Sequence, residues 1–314
     1  MRWACNVILD WVANHTAWDH AWVEQHPDWY KKDAHGRIHS YVYEGGHGIE
    51  YWTDVIGLDY AQRALWPAML EAMAFWVKEA DIDGFRCDVA ALVPLPFWEQ
   101  ARDALDRIKP VFMLAEDAGA EMHRKAFDMT YDWLLYDAMT KIAKGAGDAS
   151  DLTAWLATTA ATYPKDAYRM TFTTNHDKNA WVASDAEAFG PALKVFAVLA
   201  ATLPGMPLIY GGQEAGLDQR LAFFEKDPVP WKTRELEPFY TELLHLKRAN
   251  PALWNGSSGG EVEVLPITDA TLFAFRRARG ANTVTVLANL SARERDVPGA
   301  TALAPWGWRI DTTR

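Results

Sequence analysis

Asp81-Ile82-Asp83-Gly84-Phe85-Arg86-Cys87-Asp88-Val89-Ala90 is a short apolar pulse that ends in a carboxylate. Read as a strand, it puts Arg86 and Asp88 on the same face, because side chains alternate along a strand. A charged pair pointing the same way at a strand end matches the place where α/β barrels keep their chemistry. A structural ion pair is the other reading, since such pairs are common and weakly stabilising. Other pulses favour the first. The run Asn6-Val7-Ile8-Leu9-Asp10-Trp11-Val12-Ala13 goes out into Asn14 and His15. The run at 111–115 ends in Glu116-Asp117, and the run at 168–174 ends in Asn175-His176-Asp177.

Working outward, helical spacing or strand-length apolar runs alternate along most of the chain. Leu65, Met69, Met73 and Trp76 share one helical face, which predicts an amphipathic helix over 61–80. Further helices are expected near 97–108, 134–145, 150–162, 187–201 and 238–249. Strands are expected near 6, 84, 111, 127, 168 and 207. Strands alternating with helices imply parallel βαβ units. Between residues 16 and 54 the chain is aromatic and Gly- and His-rich without a sustained period, which reads as a long loop or small excursion. Its flexible part is expected at Glu44-Gly45-Gly46-His47-Gly48. After Pro251 the texture changes to short alternating pulses at 261–266, 272–277 and 283–289. The expected organisation is a partial barrel over 1–255 and a small all-β domain over 256–314.

Composition narrows the function. The formal charge is −11, with no basic cluster, which argues against a nucleic-acid partner. No run approaches the ~18 apolar residues of a membrane span. No signal peptide is visible between Met1 and Leu9, which points to the cytoplasm. Cys5 and Cys87 both sit in strand-like pulses and read as buried free thiols. Sixteen tryptophans are many for this length, and flat rings suit a groove that binds the apolar faces of sugars.

Asp88, Glu116 and Asp177 each follow a different strand, and in a parallel barrel those ends share one rim. Converging carboxylates must have their proton affinities separated before they are useful, and Arg86 is available to keep Asp88 ionised. That is the equipment of a retaining glycosidase, in which one carboxylate attacks and another serves as acid and then base. A metal site is the rival use of such a cluster, but no HExxH or CxxC is present.

Asp10-Trp11-Val12-Ala13-Asn14-His15, Gly84-Phe85-Arg86-Cys87-Asp88, Glu116 after its apolar run, and Phe172-Thr173-Thr174-Asn175-His176-Asp177 resemble, in order, the four signature regions of the α-amylase family of glycoside hydrolases, family 13. The resemblance covers nearly the whole chain. It implies a TIM-type (β/α)8 barrel, truncated at its N-terminal side, followed by a small antiparallel β-sandwich. It implies Asp88 as nucleophile, Glu116 as general acid/base and Asp177 as the residue that holds sugar hydroxyls. Arg86 would orient Asp88, His15 and His176 would contact the sugar, and Asp10 would support the first signature strand. Tyr51, Trp52, Phe223, Phe224 and Trp231 are candidate stacking residues, with a plain core role as the alternative for each.

The implied activity is cleavage of α-1,4-glucosidic bonds in starch or maltooligosaccharides through a covalent intermediate. A related α-glucosidase or transglycosylase is the alternative within enzymes. A catalytically silent carbohydrate-binding protein on the same fold is the alternative outside them. No cofactor is expected. Many family members bind calcium through an Asp where this chain has Gly57, so the ligand set is incomplete even though Asn14 matches another calcium position. The Lys-His pair that many amylases place after the nucleophile is Ala91-Leu92 here. Family barrels carry two βα units ahead of the first signature. This sequence begins inside the third, as a fragment or a shortened form, and an open strand edge at 6–10 leads us to expect a homodimer or larger homo-oligomer.

Overall fold

The computed structural model describes residues 5–45, 48–231, 233–297 and 299–313. Gly46 and His47, in the flexible tip expected at 44–48, lie outside the described residues. The chain divides into two compact units, Met1–Tyr131 and Asp132–Arg314.

In the first unit, β1 (Ile8–Trp11) is followed by β2 (His15–Ala17), α1 (Ala21–Gln25), β3 (Ser40–Gly45) and β4 (Gly48–Gly57). Then come α2 (Leu65–Glu79), β5 (Gly84–Cys87), α3 (Leu95–Asp106), β6 (Phe112–Ala115) and β7 (Met129–Tyr131). Strands β1, β5, β6 and β7 form a parallel sheet in that order, with Ile8 opposite Gly84, Gly84 opposite Phe112 and Leu114 opposite Met129. The buried side chains of α2, Leu65, Met69, Met73 and Val77, recur at intervals of four and form one stripe. Helix α3 contributes Phe97, Trp98, Ala101 and Leu105 to the same core as Phe85 and Met113.

Gly84 decides how β5 fits between its neighbours. Its φ is +154°, and a Cβ added there would meet the Phe112 carbonyl oxygen at 1.8 Å. Only glycine lets the two backbones approach this closely.

The segment expected as a loop or excursion over 16–54 contains an antiparallel sheet of order β2-β4-β3. Its strands do not show clean alternation. Aromatic residues fall on consecutive positions, as at Tyr51-Trp52, and the register shifts between Ser40 and Tyr41. That is why a two-residue period was not readable there.

The second unit opens with α4 (Trp133–Ala143), α5 (Ala149–Thr162) and β8 (Tyr168–Thr171). It continues with α6 (Asp185–Phe189), α7 (Leu193–Thr202), β9 (Met206–Pro207) and α8 (Glu237–Ala249). Strands β8 and β9 pair in parallel, Met170 opposite Met206. The single helix expected over 187–201 is two helices. Ser184 and Glu187 form a capping box at the start of α6, which ends at Gly190 with φ +50°, and Pro191 follows. From Val195 to Thr202 every residue of α7 is buried, so this helix is core all round.

The remaining strands are β10 (Glu261–Val264), β11 (Leu272–Arg279), β12 (Asn282–Asn289), β13 (Arg295–Val297), β14 (Ala300–Leu303) and β15 (Trp308–Thr313). They form a sheet of order β10-β11-β12-β15 and a two-stranded β13-β14 ribbon. Strands β13, β14 and β15 were not legible, because short stretches such as Trp-Arg-Ile-Asp-Thr-Thr carry few apolar residues. The parallel strands with their helices are βα units of a TIM-type barrel, and the antiparallel strands β10 to β15 form the small sandwich domain that follows them.

Arg277 of β11 ties this sheet to α7. It is 2% exposed, and its guanidinium donates to the carbonyls of Gly260, Thr202, Leu203, Leu253 and Trp254. Lys247 of α8 donates to the carbonyls of Ala201 and Leu253. Among the described residues neither cation pairs with a carboxylate. Both meet the buried carbonyl end of α7, where the helix dipole favours positive charge. Burial, with Arg277's charge adding to it, pulls the Lys247 ammonium down to about 7.

Candidate active site

The end of β5 carries the charged centre of the first unit. Arg86 sits on the strand, and Asp88 is one residue beyond it, its N–H still donating to the Trp11 carbonyl. Residues two apart share a face, and the Arg86 guanidinium meets the Asp88 carboxylate at 2.6 Å. The same nitrogen donates to both oxygens of Asp10, at 2.8 and 3.1 Å. The other terminal nitrogen lies 2.9 Å from Glu116 Oε2, close enough for strong attraction but off hydrogen-bond alignment. Arg86 Nε donates to the Tyr131 hydroxyl at 3.1 Å. One guanidinium therefore gathers three carboxylates from the ends of β1, β5 and β6.

The electrostatics follow from that geometry. Arg86 is 7% exposed. Burial alone would pull its guanidinium down, but Tyr131, Glu116, Asp10 and Asp88 reverse this and raise it above its ordinary value. The Tyr131 phenol is pushed up to about 12 by burial, so it stays protonated beside the cation. Tyr131 was not singled out from sequence. Only the pairing of β6 with β7 brings its hydroxyl to Arg86.

The residue after Asp88 is strained. Val89 has φ +36°, which a β-branched residue rarely adopts. This turn aims the Val89 N–H at Glu116 Oε2, 2.8 Å away. Backbone strain of this kind, about 1–3 kcal/mol, concentrates at functional sites.

His15 lies beside this cluster. Burial lowers its imidazole below the usual range, against the attraction of Asp88 and Asp54. Its ring meets Trp52 edge-on at 5.6 Å and Tyr41 at 6.1 Å. Trp52 stacks on Tyr41 and Tyr43. Tyr51 is the neighbour of Trp52 on β4, so it points to the opposite face, and it is 66% exposed.

The residues present do not fit a calcium ion at the position where the family ligand is missing. A Cβ on Gly57 would meet the Tyr41 ring at 2.6 Å and the Lys31 stem at 3.1 Å. An aromatic ring and a cationic side chain fill the space that an oxygen ligand needs. Among the described residues no group of three or more His, Cys, Asp or Glu could hold a metal.

Asp177, His176, Phe223 and Trp231 belong to the second unit. His176 Nε2 lies 3.4 Å from Asp177 Oδ2, and its ring stacks on Phe223. Trp231 is exposed, with no ring contact to Phe223 or Phe224. Behind this signature segment lies a buried network. Gln213 donates to Thr173, to Asp185 and to the Tyr240 hydroxyl.

Burial raises the Asp185 carboxyl to about 6, against hydrogen bonds from Gln213 and Thr173 that favour its ionised form. The unfolded carboxyl titrates near 3.8. Below that value both states hold the proton and folding bears no penalty. As pH rises from there through 6, the unfolded chain releases its proton first, and stability falls by roughly 3 kcal/mol. Asp185→Asn should therefore melt at a higher temperature than the parent at pH 8 and at the same temperature near pH 4. A variant that gains nothing at pH 8 would contradict this account.

Residues 51–235, more than half of the chain, match the family described as alpha amylase, catalytic domain. The chain is 28% identical over 265 residues to Alpha-amylase MalA of Haloarcula japonica, covering 79% of this chain and 36% of that protein. It is 24% identical to Alpha-amylase 2 of Dictyoglomus thermophilum, covering 92% of this chain and 53% of that one. It thus spans between about a third and a half of these two relatives. Among solved structures, the noncanonic maltogenic α-amylase AmyB of Thermotoga neapolitana superposes with a TM-score of 0.79 at 29% identity, covering 92% of this chain and 66% of that one. With Asp10, Asp88 and Glu116 gathered on Arg86 and more than half of the chain matching the catalytic domain, this chain belongs to the α-amylase family.

Proposed function

We propose that the chain carries the catalytic machinery of a retaining glycoside hydrolase that cleaves α-1,4-glucosidic bonds in starch or maltooligosaccharides. The observation that carries this reading is the single buried guanidinium that holds Asp88 and Glu116 together. Arg86 holds the Asp88 carboxylate in place at 2.6 Å, and Asp88 attacks the anomeric carbon as the glycosidic bond breaks. Glu116 Oε2 is engaged by the Val89 N–H and by Arg86. Glu116, held beside Asp88 by these contacts, gives a proton to the leaving oxygen. The same carboxylate then takes a proton from water as that water displaces Asp88 from the sugar. As Glu116 gives up its proton, three carboxylates around one cation leave the site net negative, which suits a transition state with positive charge on the sugar ring.

Asp177 is assigned to hold sugar hydroxyls and stabilise that transition state, with His15 and His176 contacting the same sugar. Trp52, Tyr51, Phe223 and Trp231 are assigned to stacking. The exposed rings of the last three support a surface role over a core one. Domain limits of 1–255 and 256–314 are part of the same reading.

Release of reducing sugar from soluble starch tests the reading, with Asp88→Asn as control. The native chain should release it, and the variant should be slower by about 10⁴-fold. NMR of the first-formed product should show the α-anomer, with the Asp88 and Glu116 carboxyls about 5–5.5 Å apart in the acting site. An initial β-anomer, or no difference between native and variant, would overturn it.

A further inference from the structure

The segment after Asp177 does something the signature itself does not require. Residues Lys178–Val182 form a π-helical turn, closed by the Ala183 N–H on the Lys178 carbonyl at 2.9 Å. Such single turns carry an extra residue and recur at functional sites. Here the turn sends Trp181 outward, 58% exposed, while Asn179 is 1% exposed. Both ends of the Asn179 amide are used. Its nitrogen donates to the Gln219 carbonyl at 3.1 Å, and its oxygen accepts from the Leu221 N–H at 2.8 Å. Arg220 between them pairs with Glu187 at 2.9 Å, and the Ala222 N–H is held by Asp227 at 3.0 Å. The stretch leading into Phe223 and Phe224 is thus pinned to the turn that carries Trp181.

The result is a group of three rings held open to solvent. Trp181 lies 5.0 Å from Phe223 and 6.0 Å from Phe224, and the two phenylalanines lie 5.0 Å apart. Phe223 and Phe224 are 45% and 70% exposed. Phe223 stacks on His176, so the group runs on into the signature residue beside Asp177. Apolar surface held out in water by built-in hydrogen bonds marks a contact site. Two of the rings have no polar atom, so recognition here is by face, and the C–H face of a pyranose is such a surface. A polyanionic ligand does not suit a chain with a formal charge of −11.

Resting on the glycosidase reading above, we propose that Trp181, with Phe223 and Phe224, stacks on a sugar ring of the bound α-glucan, and that Asn179 is the positioning residue of this platform. Maltoheptaose titrated calorimetrically into the Asp88→Asn chain provides the test. Adding Trp181→Ala should weaken binding about five- to tenfold, the worth of one ring contact. Trp181→Phe should restore most of it. Asn179→Asp, in the otherwise native chain, should raise KM for maltoheptaose more than it lowers kcat. Equal affinity with and without Trp181 would overturn the platform and leave the glycosidase reading standing. Failure of the Asp88→Asn chain itself to bind maltoheptaose would overturn both.

Discussion

Arg86→Lys should reduce kcat/KM by about 10³-fold and lower stability by roughly 3 kcal/mol, although the charge is conserved. Arg86 uses a planar fork to meet Asp10, Asp88, Glu116 and Tyr131 at once, at 2.6 to 3.1 Å. A lysine ammonium is a point charge on a different stem, and it cannot meet groups on three strand ends together. Asp88 and Glu116, left without that partner, repel one another in a largely buried place, which costs about as much as breaking a buried ion pair. Asp88 also loses the contact that orients it, so chemistry should suffer more than binding. Kinetics on a maltooligosaccharide beside a urea unfolding curve would check both effects. A variant within tenfold of the parent would show that Arg86 is only a structural ion-pair partner, the alternative open from sequence.

The second large effect is expected at a residue with no side chain. Gly84→Ala places a methyl group 1.8 Å from the Phe112 carbonyl oxygen, at a φ that alanine avoids. The obstacle is backbone, so nothing can rotate away. Strands β5 and β6 must part, and they carry Asp88 and Glu116 at their ends. The expected loss is about 3 kcal/mol or more, with activity falling in parallel. An unchanged urea midpoint would mean that the sheet relaxes there far more easily than its packing suggests.

Much of this was legible in the sequence because the parallel strands are continuous apolar runs that stop at polar residues. All six expected near 6, 84, 111, 127, 168 and 207 are strands. The pairing of Arg86 with Asp88 needed only the two-residue period. Other parts depend on contacts far apart in the chain. Tyr131 is one aromatic residue among many until β7 sets it beside Arg86. The Tyr41–Trp52 stack needs the register of β3 on β4. Asn179 and Trp181 follow Asp177 closely, yet nothing local announces a π turn, whose extra residue is fixed by the loop at 219–221. The Gly190-Pro191 break was readable as punctuation, but the apolar run of α7 that follows it masked it.

The carbonyl cage around Arg277 bears on how freely such chains can be recombined. Sandwich domains at the end of a catalytic chain invite treatment as exchangeable modules. Here the last turn of α7 has given up its own capping to a side chain from the sheet, so the helix and the sheet share one set of hydrogen bonds. A graft that swaps the sheet without supplying an arginine at that register would strand the carbonyls of Thr202, Leu203 and Leu253 in the interior. The workable unit of exchange is therefore the sheet together with α7 and α8, and the seam for a chimera lies ahead of Leu193.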